Sequence, residues 1–409
     1  MTKTRLRVLI IQSWIRLGGA ELISVHLASQ LQARGHEVAI ACVYADLEGM
    51  PPEAAGNEYL LPPRWVAELC SKRRAAFLCL SPFILFWQTW RHSANVDVLN
   101  PHNFPSGWIA ILVGAVRGIP VVWTCNEPPE RPELSLLSKI GLADFIGWTV
   151  ASSFIDRLLM KRAKAIYVPS ERTRADVLER YGRPASVVGL GIDEEFRSPA
   201  SPSGLAERLG VRERFVLLLV GKLHPQKNQI ACIEALPMLV GRIPQVVLLV
   251  AGSGPARMEL EEAASRLGVA AHVRFLGHVS RSETRELYEI CDLNLFPAVN
   301  QSWGLTPFEA LAAGRVSIVS KETGAAELLK GEDIGIVCDP SADAFAERIV
   351  QIYEDPVVIS EMATRGRDYV IRNLTWGRYA ETASAIFQEA CGFTHGLIDS
   401  PASIQAGSK

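Results

Sequence analysis

The sequence lacks the cysteine patterns that mark a metal site or a disulfide scaffold. Its eight cysteines, at positions 42, 70, 79, 125, 232, 291, 338 and 391, contain no C-x-x-C pair and no Cys/His ligand spacing. Most stand in apolar stretches, which reads as buried thiols in a reducing cytoplasm. Long basic runs are also missing, and the net charge is -2. That disfavours nucleic acid as a partner, because neutralising a phosphate backbone needs clustered Lys and Arg. A small anionic ligand held locally stays compatible. No apolar run is both long and unbroken enough to span a bilayer. The most apolar one, Ala75 to Trp90, is interrupted by Pro82 and follows Lys72, Arg73 and Arg74, so it reads as interfacial or buried. The N-terminal MTKTRLRVLIIQSW has no small-residue cleavage site and does not read as a signal peptide.

What is present is a globular balance, with 48% hydrophobic and 21% charged residues in 409. That length exceeds what one core serves and favours about two domains. Short apolar runs alternate with turns and amphipathic helical stretches, the pattern of parallel sheets with crossover helices. Strands are expected at Val8–Ile11, Val38–Val43, Val96–Leu99, Val121–Thr124, Ala165–Val168 and Ser186–Val188. A second set is expected at Phe215–Val220, Val246–Ala251, Val273–Leu276, Leu293–Phe296, Val316–Val319 and Gly335–Cys338. Between the sets, RSPASPSG from Arg197 to Gly204 is rich in Pro and Ser, as linkers are. The expectation is two doubly wound, Rossmann-like α/β domains, 1–195 and 205–375, joined by a linker near 193–207 and facing each other. In such folds ligands sit at the carboxyl ends of the strands, which makes the cleft the expected active site. A last helix over 376–391 should pack back on the N-terminal domain, and 392–409 should be a disordered tail.

Gly18 and Gly19 follow the first strand and open a helix. They form either a phosphate loop, with free N–H groups and the helix dipole aimed at an anion, or a plain glycine turn. A dinucleotide fold would show G-x-G-x-x-G there and an acidic residue closing the second strand. Here stand only Gly-Gly and, at the second strand end, Cys42 and Val43, so a dehydrogenase is disfavoured. In GKLHPQKNQ, Lys222 lies at a strand end and Lys227 just before a helix. Two ammonium groups there can neutralise a diphosphate leaving group, or be a solvated basic loop. The segment FPAVNQSWGLTPFEALAAG turns at Gly304 into a helix with Pro307 near its start, leaving the N–H groups of Gly304, Leu305 and Thr306 available to phosphate. Glu309 then either accepts hydrogen bonds from a ribose diol or complements the helix dipole. His102, in NPHNFPSG, is a lone histidine after a strand, a catalytic group or a turn residue. No pair of carboxylates stands in these motifs at positions suited to acid and base or to a covalent intermediate.

Taken together, GGAE at Gly18, SER at Ser170, GID at Gly191, GKLHPQKN, AGSGP at Ala251, FLGHV at Phe275 and QSWGLTPFEALAAG resemble the retaining GT-B glycosyltransferases of the glycogen-synthase and phosphatidylinositol-mannosyltransferase type. The resemblance spans nearly the whole chain. It implies a hexosyltransferase that uses a UDP- or GDP-sugar and needs neither metal nor cofactor. Lys222 and Lys227 would bind the donor diphosphate, Glu309 the nucleotide ribose, and Gly18 and Gly19 would form the N-domain phosphate loop. His102 would lie near the sugar, and the catalytic set would be His102, Lys227, Gln301 and Glu309. The chain departs from the family at Gln301, eight residues before Glu309, where relatives carry glutamate, and at Asn126, where they often carry histidine. The implied chemistry is front-face substitution with retention, the leaving phosphate helping to take the acceptor proton.

A saccharide or lipid-linked acceptor in cell-surface polysaccharide or glycolipid synthesis is expected, with the protein cytoplasmic and peripheral on the inner face of the membrane. Two stretches suit anionic lipid: Ala75–Trp90 with its basic triplet, and Leu134–Ala165 with Trp148 and Lys161, Arg162 and Lys164. The alternatives are internal packing of both stretches, a non-catalytic nucleotide-sugar-binding protein, and a nucleotide-sugar epimerase or hydrolase on a similar fold.

Overall fold

The computed structural model describes residues 5–103, 105–128, 154–198 and 204–393. Most of the stretch Leu134–Ala165, Trp148 included, and the expected tail beyond Phe393 lie outside the described residues. The chain divides into two compact units, one made of 1–189 with 376–409 and the other of 190–375. Both are α/β with parallel sheets.

In the first unit the strands are β1 Arg7–Ile11, β2 Glu37–Ala41, β3 Glu58–Leu60, β4 Val98–Pro101, β5 Val122–Thr124, β6 Ala165–Val168 and β7 Ser186–Val187. They form a parallel sheet in the order β3-β2-β1-β4 and a second in the order β5-β6-β7. A single parallel bridge, Leu99 to Val121, links the two, and Asn100 donates from Nδ2 to the Val122 carbonyl at 2.7 Å. β1, β4, β5 and β6 are almost wholly buried, which is why they read as apolar runs. Leu9, Ile11, Leu99, Val113, Trp123, Ile166 and Val168 belong to one core. β3 and the helix Arg64–Lys72 were not expected from the sequence, since prolines at 51, 52, 62 and 63 make that region read as loop.

The helix Trp376–Ala390 is part of this unit. Trp376 stacks on His26 with centroids 4.4 Å apart, Ser384 pairs with Nε2 of His36 at 3.1 Å, and Tyr379 and Phe387 both pack on the ring of Tyr167.

The second unit has one parallel sheet built from β8 Phe215–Val220, β9 Val246–Ala251, β10 Val273–Gly277, β11 Leu293–Phe296, β12 Val316–Ser320 and β13 Ile336–Cys338. Its order is β10-β9-β8-β11-β12-β13, so the direction of winding reverses between β8 and β11. That reversal opens a crevice at the carboxyl ends of those two strands. The unit starts earlier than the Pro- and Ser-rich run suggested. Leu190 to Arg197 belongs to it, with Ile192 bridged to Thr375, because Asp193, Glu195 and Phe196 all find partners on its helices.

A second correction concerns Pro82, which does not break the apolar run. The helix Arg74–His92 continues through it. The hydrogen bond Pro82 cannot make would end four residues back at Leu78, which is exposed.

Candidate functional site

In the second unit the expected donor residues gather at the reversal between β8 and β11. Beyond β8, the backbone at Gly221 leads into the 3-10 turn Pro225–Lys227, and Asn228 follows with φ +50°. Asn228 locks the turn by donating from Nδ2 to the carbonyls of Pro297 and Pro340, at 3.2 and 3.0 Å. The Val299 amide donates to the Gln226 carbonyl at 2.9 Å, so the loops after β8 and β11 are tied together. Lys227 consequently points at the β11 loop, where its Nζ donates to Oε1 of Gln301 and lies 5.7 Å from the centre of the Phe296 ring. Gln301 is itself held by a parallel bridge to Thr323. Lys222 stands exposed at the end of β8, its carbonyl accepting from Gln229 Nε2 at 2.9 Å.

Gly304 turns the β11 loop into the helix Thr306–Ala312. Its φ is +142°, and a Cβ there would come within 2.6 Å of the Phe296 ring, so no other residue fits. The first helical bonds run from the amides of Phe308 and Glu309 to the Leu305 carbonyl. Gly304, Leu305 and Thr306 precede them, where a helix start presents N–H groups outward. Trp303 stacks on Phe308 at 5.0 Å beneath this turn.

Glu309 accepts from the hydroxyl of Tyr288, with Oη to Oε2 at 2.9 Å. Burial pushes its carboxyl up to about 7, opposed by the Tyr288 hydrogen bond and by Arg281, and reinforced by Asp193 and Glu195. The side chain is half-buried and held by Tyr288, so it is more than a freely solvated complement to the helix dipole.

The first unit holds the other expected residues. Gly18 caps the helix Gly19–Ala33 in extended conformation, and a Cβ on it would meet Oε2 of Glu21 at 2.4 Å, while around Gly19 the space is open. The Glu21 carboxylate thus folds back over the helix start, where it competes with any phosphate. His102, at the carboxyl end of β4, is buried, with Nε2 at 2.8 Å from Oδ1 of Asn100. Burial drives its imidazole down to about 3, so it is neutral, and its Nδ1 has no partner. The side-chain amides of Gln12, after β1, and Asn126, after β5, are likewise unpartnered. Gln12 gave no signal in the sequence, because a polar residue closing an apolar strand is ordinary turn chemistry.

Two doubly wound units with polar residues at the carboxyl ends of their strands define the GT-B class. The chain belongs to its group 1 glycosyltransferases: the Glycosyl transferases group 1 family matches residues 206–370 and Glycosyltransferase Family 4 matches residues 17–196. The putative glycosyltransferase EpsD of Bacillus subtilis is 32% identical over 205 residues, 49% of this chain and 53% of EpsD, so the match spans about half of that relative. The phosphatidyl-myo-inositol mannosyltransferase of Mycobacterium tuberculosis is 25% identical over 384 residues, 92% of this chain and 94% of its own. The crystal structure of Anabaena HepE in complex with UDP shares the fold, with a TM-score of 0.73 at 19% identity, over 94% of this chain and 100% of that one.

His102 provides a direct check of the electrostatics. Its depressed folded value means the folded state favours the neutral ring, a stabilisation present above the unfolded value of about 6.5 and lost as pH falls toward the folded one. Proton NMR of the imidazole should show no titration of His102 between about pH 5 and 9, and a midpoint near 6.5 would show the ring to be solvated.

Proposed function

We propose that the protein moves a hexose-type sugar from a UDP- or GDP-sugar to a saccharide or lipid-linked acceptor, with retention at the anomeric carbon and without a metal ion. The observation that carries this reading is the contact of Lys227 with Gln301 in the loops after β8 and β11, beside the turn at Gly304 and with Glu309 in the helix that follows. Lys227 and Lys222 would neutralise the diphosphate, the helix start would hold a phosphate, and Glu309 the ribose diol. As the sugar–phosphate bond breaks, the acceptor oxygen bonds to the anomeric carbon on the same face and its proton passes to the departing phosphate. The protein's share is positioning and charge stabilisation. The neutral ring of His102, with its unpartnered Nδ1, suits hydrogen bonding to sugar rather than proton abstraction. A binding protein without turnover is the second reading, favoured by Gln301, whose Oε1 is taken by Lys227 and carries no charge.

Incubation with UDP-, GDP- and ADP-sugars plus membrane extract, followed by nucleotide release, separates the readings. Acceptor-dependent release supports transfer, acceptor-independent release hydrolysis, and binding without release the second reading. Lys227→Ala and Glu309→Ala should each lower the rate about a hundredfold or more, as expected for a charge-assisted contact worth roughly 3 kcal/mol in the transition state. Near-normal rates in both would sink the site assignment.

The acceptor side of this reading is a membrane surface. The helix Arg74–His92 places Leu85 in the core and buries Ser81, Gln88 and Thr89, yet leaves Phe83 and Trp87 75% and 62% exposed. Leu78, Phe86 and Trp65 are exposed on the same unit, and Lys72, Arg73 and Arg91 flank them in solvent. Aromatic residues with a basic fringe match the interface of an anionic bilayer. No helix among the described residues is long and apolar enough to cross a membrane. Co-sedimentation with phosphatidylglycerol vesicles should be strong and should fall about tenfold or more in Phe83→Ser with Trp87→Ser. Equal recovery with neutral and anionic vesicles, or no recovery with either, would count against docking.

A further inference from the structure

The segment at which the chain enters the second unit is bound to the candidate donor site through one arginine. Arg281, at the start of the helix Arg281–Ile290, donates from Nη2 to Oδ2 of Asp193 and from Nε to Oε1 of Glu195. Phe196, buried in the same short helix Glu194–Arg197, lies between two groups of that arginine's helix: the Arg281 guanidinium is 5.3 Å from its ring centre, and the Tyr288 ring meets it edge-on at 6.0 Å. Tyr288, fully buried, then donates to Glu309. Every link in this chain is a direct contact within the second unit.

We propose that Arg281 is a positioning residue for the donor site: it clamps Asp193–Phe196 onto the helix Arg281–Ile290 and, through Tyr288, sets the placement and charge of Glu309. The inference rests on the reading that Glu309 holds the nucleotide ribose. Two partly buried acids beside a third carboxylate would repel it, and Arg281 is the cation that offsets them. Its fork suits the task, since it reaches two carboxylates at once.

The groups facing Glu309 are few. Tyr288 and Arg281 come from one helix, and Asp193 and Glu195 from the entering segment. β11 and β12 present Asn294 and Ser317, joined by a hydrogen bond of 3.0 Å, which do not titrate near neutrality. The helix Pro356–Asn373 approaches with Gly366 against Leu311, while its Arg365 is tied to Asp333 and its Arg372 to Asp368.

Carboxyl carbon-13 NMR of the free full-length protein reads the Glu309 midpoint, with Glu309→Gln identifying the resonance. Arg281→Ala should move that midpoint up by about one pH unit, and Asp193→Asn with Glu195→Gln should move it down by about as much. A purely structural role for Arg281 moves the two variants in the same direction or not at all, and either result overturns the clamp. Arg281→Lys, which keeps the charge and loses the fork, covers failure of the alanine variant to fold: its midpoint should rise by about half as much, and no rise counts against the proposal.

Titration with UDP and with GDP then links the clamp to binding. A ribose diol donates to the ionised form, so Arg281→Ala should bind the favoured nucleotide about fivefold more weakly at pH 7 and recover by about pH 9. If Glu309→Gln binds both nucleotides as wild type does, the ribose reading fails while the NMR shifts stand. If Glu309→Gln weakens binding and the midpoints do not move, the clamp alone fails.

Discussion

Parallel pairing is the constraint from which the rest of this protein follows. Strands that all run one way must be joined by crossings that return along the faces of the sheet, so both faces are covered and only the strand ends are left for chemistry. In the second unit that leaves the loops after β8 and β11, at the point where the winding reverses, and there Lys227 meets Gln301. Two features hold these loops to their geometry. One is Asn228, which spends its amide on the carbonyls of Pro297 and Pro340. The other is Gly304, whose backbone no side chain tolerates against Phe296. Neither needs to touch a ligand to decide where ligand-binding groups stand.

How much of this could be read from the sequence differs between scaffold and site. Twelve of the thirteen strands among the described residues were legible, most of them because an apolar run of four to six residues between turns has few other meanings in a chain of this composition. β3, three residues among prolines, carried no such contrast. The residues lining the reversal in the second unit, Lys222, Lys227 and Gly304 to Glu309, were legible because each belongs to a local pattern: a strand end, a turn, a helix start. What could not be read were pairings across long separations. Arg281 meets Asp193 and Glu195 at separations of 88 and 86 residues, and in the sequence it is only the first residue after a capping serine. The linker was misplaced for the same reason, since proline and serine mark flexible composition and say nothing of what Asp193, Glu195 and Phe196 will touch. Pro82 was over-read, because a proline removes one helical hydrogen bond without necessarily ending the helix, and this one continues through it.

Both units leave buried polar atoms without partners. In the second unit the partly buried acids Asp193 and Glu195 are paired with Arg281 and Glu309 with Tyr288, while Trp303 Nε1 and Thr306 Oγ1 have no partner. In the first, Gln12, His102 and Asn126 end their strands with polar atoms that have no partner. Unsatisfied buried groups cost stability, and in native proteins they concentrate where a ligand supplies the missing bonds.

The helix Trp376–Ala390 gives the first unit a discontinuous sequence, and that has a consequence for synthesis. Residues 1–189 leave the ribosome first, yet His26, His36 and Tyr167 wait for partners at Trp376, Ser384 and Phe387. The second unit, 190–375, is entire before any of these appear. The half of the protein that is translated earliest is therefore completed last, and until then the surface meant for that helix is open to chaperones or to another copy of the chain.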